Sequence, residues 1–298
     1  MFKQLAIPLV SFALTLAATQ ASLAETVMEK VSRTGVLTIG TDLTAIPYSY
    51  INDKEELDGY TLSVLDLVRE SLSKRLGKPI KVEYVTVGDI KDRVTKLLTY
   101  EVDMVCDTAF TWKRDQYVDF SVPYGISEIR ILLPKNSNLG TPESLVGKRI
   151  GALPMSVAEK AVKLAQPQAE LVPFESLEDA ILALQAGKVD GVVGDSILLD
   201  GLRQKLGFTN SQLLPEAPYA RYGGACMVRQ YDPSFLRLTN FTIVKMMESY
   251  LAGDKTTTAM INRWFGPDGV VKVDPQDIRT FFSYTVTSHE PIPPDGTP

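Results

Sequence analysis

The chain has 298 residues, of which 45% are hydrophobic and 22% charged, and its formal net charge is -5. This composition is typical of a globular protein, and the acidic balance without a basic cluster argues against nucleic-acid binding. One histidine and two cysteines exclude most zinc sites and a histidine-dependent hydrolytic triad. The sequence also contains no phosphate-binding glycine loop and no nucleophile elbow. We therefore predict no metal, no cofactor and no catalytic residues.

Residues 1–24 have the features of a secretory signal peptide. Lys3 supplies a short positive region, an apolar stretch runs from Leu5 to Ala18, and Ser22 and Ala24 are small residues beside the expected cleavage point. A membrane anchor is the alternative, but a spanning helix needs about 20 apolar residues, and proline and hydroxyl residues interrupt this run. We expect an exported mature chain that begins at residue 25.

Hydrophobic periodicity predicts alternating strands and helices along the rest of the chain. The first strand–helix–strand–helix–strand series covers Gly35–Asp42, Tyr60–Leu76, Ile80–Val87, Ile90–Tyr100 and Val102–Cys106. After an extended segment, Ile126–Pro134, the alternation restarts with Arg149–Leu153, Val157–Ala165, Ala169–Phe174, Leu177–Ala186, Val189–Asp195 and Ile197–Leu206. A strand at Ala220–Val228, helices at Phe235–Ala252 and Thr256–Phe265 and a flexible tail over 289–298 complete the prediction. The pattern predicts an α/β fold built from two parallel-sheet units.

Polar residues follow several of these strands, and ligands of open α/β sheets bind at the carboxyl ends of strands. Asp42 follows the first strand, Thr108 follows the strand that ends at Cys106, and Asp195 ends the Val189 strand. Arg114 lies shortly beyond Thr108, and a guanidinium can hold a carboxylate through two hydrogen bonds. An arginine and an aspartate across a cleft would suit a zwitterionic amino acid. From the residues alone, surface or helix-capping roles explain them as well.

Cys106 and Cys226 lie 120 residues apart. In an exported protein two cysteines are candidates for one disulfide. Two buried free thiols are the alternative, since cysteine is a common core residue.

Eight segments, in the same order along the chain, carry a family resemblance. The most specific is TWKRDQYVDFSVPY (Thr111–Tyr124); the others are GVLTIGTD with IPYSYIND, DGYTLSVLDLV, LLTYEVDMV, SLVGKRIGA, SLEDAILALQAGKVDGVVGDS, YGGACMVRQYDPSFLRLTNFTI and INRWFG. Together they resemble the family 3 periplasmic solute-binding proteins, the substrate-binding components of polar amino acid ABC transporters. The resemblance covers residues 33–266.

The resemblance implies a two-lobed periplasmic-binding-protein fold of type II, with a hinge of two crossover strands. Lobe one would contain 25–128 and 222–298, and lobe two would contain 129–221. The crossings would fall near Glu128–Ile131 and Tyr219–Gly223. Closure of such lobes buries a ligand and excludes water.

The cysteine placement resembles that of the glutamate/aspartate-binding branch, where the two residues form a disulfide. The resemblance therefore implies a bond between Cys106 and Cys226, both in lobe one.

Ligand roles follow from the same motifs. Arg114 stands at the position that binds the ligand carboxylate, and Asp195 at the position that binds the ammonium, although Asp195 would also cap the following helix. Ser156 would donate to the carboxylate from a helix N-terminus, a favourable place for an anion. Thr108 is the hydroxyl donor expected from lobe one. Asp42 stands where other members contact the ligand side chain, and a carboxylate there favours a cationic or amide group.

Arg93 matches a pocket arginine of the acidic-amino-acid branch, and a solvated helical arginine is the alternative. Tyr48, in the proline–aromatic turn of the first motif, completes the predicted ligand-binding set. Asp42 replaces an arginine of the acidic branch, and Leu177 replaces its histidine. Glutamate and aspartate are therefore disfavoured as ligands.

The implied function is that of a periplasmic binding protein, not an enzyme, which captures a polar amino acid and acts as a monomer. Its partners would be the small-molecule ligand and a membrane ABC permease. One alternative is an orphan binder that presents a related molecule to a sensor receptor. Another is a cyclohexadienyl dehydratase-like enzyme, which needs a general acid in the cleft, and the sequence places no glutamate there.

Overall fold

The computed structural model describes residues 25–288, so the predicted signal peptide over 1–24 and the tail over 289–298 lie outside the described residues. The helices are α1 (Val27–Thr34), α2 (Tyr60–Leu76), α3 (Ile90–Leu98), α4 (Trp112–Asp115), α5 (Val157–Ala165), α6 (Leu177–Gln185), α7 (Ser196–Lys205), α8 (Pro233–Leu251), α9 (Lys255–Phe265) and α10 (Pro275–Thr287). The strands are β1 (Val36–Thr41), β2 (Thr44–Ala45), β3 (Ser49–Ile51), β4 (Leu57–Asp58), β5 (Lys81–Thr86), β6 (Met104–Ala109), β7 (Val118–Phe120), β8 (Gly125–Pro134), β9 (Arg149–Ala152), β10 (Glu170–Pro173), β11 (Gly191–Asp195), β12 (Ser211–Leu214) and β13 (Ala220–Arg229). Within 25–288, no helix has the length and apolar character needed to cross a membrane.

One large mixed sheet organises the fold, with strand order β10-β9-β11-β8-β13-β6-β1-β5. At one end β1 pairs in parallel with β5 and β6, and at the other β9 pairs in parallel with β10 and β11. The two predicted parallel units are therefore confirmed. Between them, the long strands β8 and β13 pair antiparallel with each other and with strands of both units.

The two long strands connect the halves of the molecule. Strand β8 pairs with β13 over residues 125–129 and then with β11 and β12 of the second half. Strand β13 continues from its pairing with β8 to pair with β6 and β7 of the first half. This arrangement is the predicted pair of crossover strands, and the lobe boundaries at 128/129 and 221/222 stay a prediction.

Helices cover both faces of the sheet in each half, as alternating side chains show. On β11, Val192 belongs to the same core cluster as Ile181 of α6 and Leu199 of α7, whereas its neighbour Val193 belongs to the cluster that contains Val162 of α5. On β6, Met104 and Val105 likewise belong to different core clusters.

Helix α2 illustrates how the sequence produces an element. Val64, Leu65, Val68 and Leu72 recur at helical spacing, and each is at most 1% exposed. Burial of such side chains contributes roughly 1.5–3 kcal/mol each. Gly77, with a φ of 65°, ends the helix in the left-handed conformation that favours glycine.

Cys106 and Cys226 form a disulfide that joins β6 to β13, which confirms the predicted pairing and removes the free-thiol alternative. The strand around Cys106 differs from the prediction: it runs over Met104–Ala109 and not over Val102–Cys106. Pairing of Thr108 with Ala225, and of Ala109 with Gly224, extends the strand through polar residues. The sequence analysis did not predict helices α1, α4 and α10 or strands β2, β3, β4, β7 and β12.

Candidate ligand-binding cleft

A cleft of about 1070 Å³ opens along the carboxyl ends of the strands of both halves. Its walls come from the turns after β1, β6, β9, β10 and β11 and from the two crossover strands. All seven residues selected from the sequence line this one cleft: Asp42, Tyr48, Arg93, Thr108, Arg114, Ser156 and Asp195. Their contacts with a ligand stay a prediction, but the structure brings all of them together.

Arg114 enters the cleft from helix α4, whose first turn is capped by the Thr111 hydroxyl. One guanidinium nitrogen, Nη1, donates to the carbonyl of Ala109 at 2.7 Å. Among residues 25–288, this is its side chain's one hydrogen bond, so further N–H groups are available to an anion. Burial, with a smaller contribution from the charge of Arg93, lowers the pKa of Arg114.

Asp195 ends β11 and caps helix α7. Its Oδ1 accepts from the amides of Ile197 at 2.9 Å and Leu198 at 3.2 Å, which confirms the capping role. Its Oδ2 accepts from the hydroxyls of Tyr222, at 2.9 Å, and Ser127. Only 8% of the residue is exposed, and burial raises the pKa of its carboxyl to about 6. The predicted ammonium contact therefore competes with donors of the chain itself.

Arg93 and Asp42 form an ion pair at the wall of the first half. Arg93 Nη2 lies 2.7 Å from Asp42 Oδ2, and the side chains are 13% and 23% exposed. The alternative of a solvated helical arginine is therefore wrong. Asp42 Oδ1 accepts from the amide and hydroxyl of Thr44, both at 2.8 Å. The charge of Asp42 is thus paired with that of Arg93, a contact that the sequence interpretation did not include.

The three hydroxyl residues of the predicted set have protein partners. Ser156 caps α5 and accepts from the Glu159 amide at 3.0 Å, which leaves its own proton available as a donor. Thr108 donates to the Cys106 carbonyl at 3.2 Å. Tyr48 donates to the Ile126 carbonyl at 2.9 Å, so its hydroxyl anchors the wall to β8.

Among the other residues that line the cleft, four with polar side chains bear on its chemistry although the sequence analysis did not select them. Asp107 accepts from the hydroxyls of Thr61, Tyr124 and Ser49, and burial raises its pKa. Its place after a predicted strand was the available signal. Glu175, in the turn before α6, also lines the cleft and corrects the expectation that no glutamate lies there. Ser127 and Tyr222 lie on the crossover strands, where no local motif marks them.

Two α/β halves, two crossover strands and a cleft between them define the class of two-lobed solute-binding proteins. The chain belongs to the bacterial extracellular solute-binding proteins, family 3, whose profile matches residues 37–267.

Curated relatives are similar over most of the chain. A glutamate/aspartate import solute-binding protein of Salmonella typhimurium is 24% identical over 228 residues, which are 74% of this chain and 75% of that protein. The L-cystine-binding protein TcyJ of Escherichia coli is 24% identical over 82% of this chain and 88% of its own length. The virulence sensor protein BvgS of Bordetella bronchiseptica is 23% identical over 78% of this chain but only 18% of its own length.

Among solved structures, an ancestral arginine-binding protein bound to glutamine is 25% identical, with a TM-score of 0.67 over 78% of this chain and 98% of that one. These relatives are named as binding or sensor proteins, in agreement with the membership of this chain in a solute-binding family.

Proposed function

We propose that the protein captures a polar amino acid with an amide or cationic side chain in the periplasm and delivers it, as a monomer, to an ABC permease. The observation that carries this proposal is that Arg114 and Asp195 line one cleft from opposite halves of the sheet. A guanidinium offers two parallel N–H groups to the α-carboxylate. A carboxylate accepts from the α-ammonium. For the other predicted residues we propose the roles that the family resemblance implies. Ser156 and Thr108 would then lie beside the α-carboxylate of the ligand.

The ion pair of Arg93 and Asp42 supports a preference for one kind of ligand side chain. A carboxylate has about four acceptor positions, and two bonds from Thr44 and one from Arg93 leave Asp42 with one. Arg93 also donates to the carbonyls of Gly88, Cys106 and Asp107, so within residues 25–288 one of its five N–H groups has no partner.

One acceptor beside one donor matches a primary amide, whose NH₂ donates and whose carbonyl accepts. A cationic side chain would use the acceptor on Asp42 alone. A second carboxylate would be repelled by Asp42 while meeting an arginine that is already paired. The order we propose is amide first, cationic second and acidic last.

Calorimetric titration with L-glutamine, L-asparagine, L-arginine and L-glutamate tests this order. We expect the amide ligands to bind most tightly and L-glutamate most weakly. Tightest binding of L-glutamate, or no binding of any polar amino acid, would contradict the proposal. Delivery to a receptor in place of a permease is the second candidate, which the similarity to a sensor protein favours.

A further inference from the structure

Ser127 and Tyr222 lie directly opposite each other on β8 and β13, in the segment where the two crossover strands pair. Both hydroxyls donate to the same oxygen, Oδ2 of Asp195, with Tyr222 at 2.9 Å. Ser127 is only 2% exposed, and Tyr222 lines the cleft. The crossover strands therefore hold the carboxylate that we assign to the ligand ammonium.

The acceptor positions of Asp195 are fully used within the chain. Two amides of α7 bond Oδ1, and the two hydroxyls bond Oδ2, which makes four donors for about four acceptor positions. The amides belong to the helix N-terminus and cannot leave without unwinding the first turn of α7. An incoming ammonium group must therefore take the place of a hydroxyl on Oδ2.

Tyr222 is a protonated donor under ordinary conditions. Burial and the neighbouring charge of Asp195 raise the pKa of its hydroxyl well above the usual value, while the charge of Arg114 acts in the opposite direction. The Tyr222 hydroxyl thus bonds to Asp195 and lies within electrostatic range of Arg114, the two groups that we assign to the ends of the ligand.

We propose that Ser127 and Tyr222 are specificity-determining residues whose hydroxyls compete with the ligand α-ammonium for Oδ2 of Asp195. The inference rests on the proposed amino-acid function. Only a ligand with an ammonium group releases the crossover strands from Asp195, so recognition of the ammonium is coupled to the segment that connects the two halves. A des-amino ligand leaves both hydroxyls in place.

The sign of one substitution separates competition from direct ligand contact. Tyr222→Phe keeps the ring and removes one competing donor, so competition predicts tighter binding of L-glutamine, by about tenfold for one hydrogen bond to a charged group. A tyrosine that donated to the ligand would instead give weaker binding. Ser127→Ala, which removes the other competitor, should act in the same direction.

The experiment measures the Kd of L-glutamine and of glutaramate, its analogue without the α-ammonium, by calorimetry on the full mature chain. We expect Tyr222→Phe to lower the Kd of L-glutamine while leaving that of glutaramate unchanged, because only the ammonium competes. A purely structural effect would change both. Tyr284→Phe is the control, since Tyr284 is an exposed tyrosine of α10 outside the cleft lining.

An unchanged or raised Kd of L-glutamine in both Tyr222→Phe and Ser127→Ala would overturn the inference while leaving the proposed function intact. If L-glutamine binds none of the proteins, a pool of the twenty L-amino acids at 1 mM each replaces it in a thermal-shift assay. A larger shift in Tyr222→Phe than in the wild type supports the inference, and an equal or smaller shift overturns it. No shift in any protein would overturn the proposed function, and the inference with it.

Discussion

Substitution of Arg114 by alanine removes the proposed partner of the ligand carboxylate. The Arg114 guanidinium is oriented by one hydrogen bond to the Ala109 carbonyl, and burial lowers its pKa. A bound anion would therefore stabilise a cation that is already in position. Two hydrogen bonds to a charged group contribute about 1.5–3 kcal/mol each. Loss of both would weaken binding by about 3–6 kcal/mol, which is at least a hundredfold in Kd.

The assay is calorimetric titration of Arg114→Ala with the best ligand of the wild type. Arg237→Ala is the control, because Arg237 is an exposed arginine of α8 outside the cleft lining. Arg114→Lys should give an intermediate Kd, since a lysine keeps the charge but not the paired N–H groups. An Arg114→Ala protein that is folded, by its melting curve, and binds with the affinity of the wild type would refute the reasoning.

Three further predictions concern other parts of the molecule. The pKa of the Asp195 carboxyl is about 6 in the folded chain and near 3.9 in an unfolded one, so the ionised form predominates above pH 6. Because the folded chain holds this proton more tightly, the contribution of Asp195 to the free energy of unfolding should increase as the pH falls from 6 towards 4. Ammonium binding requires the ionised form, so the Kd should rise by up to about tenfold per pH unit below 6, and a flat profile in titrations from pH 7 to 5 would contradict this. Asp42→Ala releases Arg93 from its ion pair, so L-glutamate should bind more tightly and L-glutamine more weakly by calorimetry; an unchanged ligand order would count against the amide subsite. Joint replacement of Cys106 and Cys226 by alanine opens a loop of 120 residues and should lower the free energy of unfolding by about 4–5 kcal/mol in urea titrations. Labelling of both thiols in the oxidised, denatured wild type would disprove the disulfide.

Local periodicity correctly predicted the helices whose buried residues lie along one face. The bounds of α2 and α5 match the predicted ranges, Tyr60–Leu76 and Val157–Ala165, because apolar spacing and clear end signals coincide there. The strand through Cys106 was misplaced because its end is determined by pairing with β13, 120 residues away. Short edge strands such as β12 depend on the same non-local pairing.

The site was predictable where it lies at strand ends. Asp42 and Asp195 each lie at the carboxyl end of a strand that pairs in parallel within its own half, and ligands of open α/β sheets bind at such ends. The ion pair of Asp42 with Arg93 spans 51 residues, and the bonds of Ser127 and Tyr222 to Asp195 depend on the register between two crossover strands. No local pattern encodes these contacts, so the sequence predicted charged residues that line the cleft but not the groups of the chain that bond to them.

A crystal structure of the complex with the amino acid that binds most tightly tests the central claim most directly. We predict that the α-carboxylate lies on the Arg114 guanidinium and the α-ammonium on Oδ2 of Asp195, with the ligand enclosed between the two halves. A ligand bound outside this cleft, or inside it with neither Arg114 nor Asp195 in contact, would contradict the account.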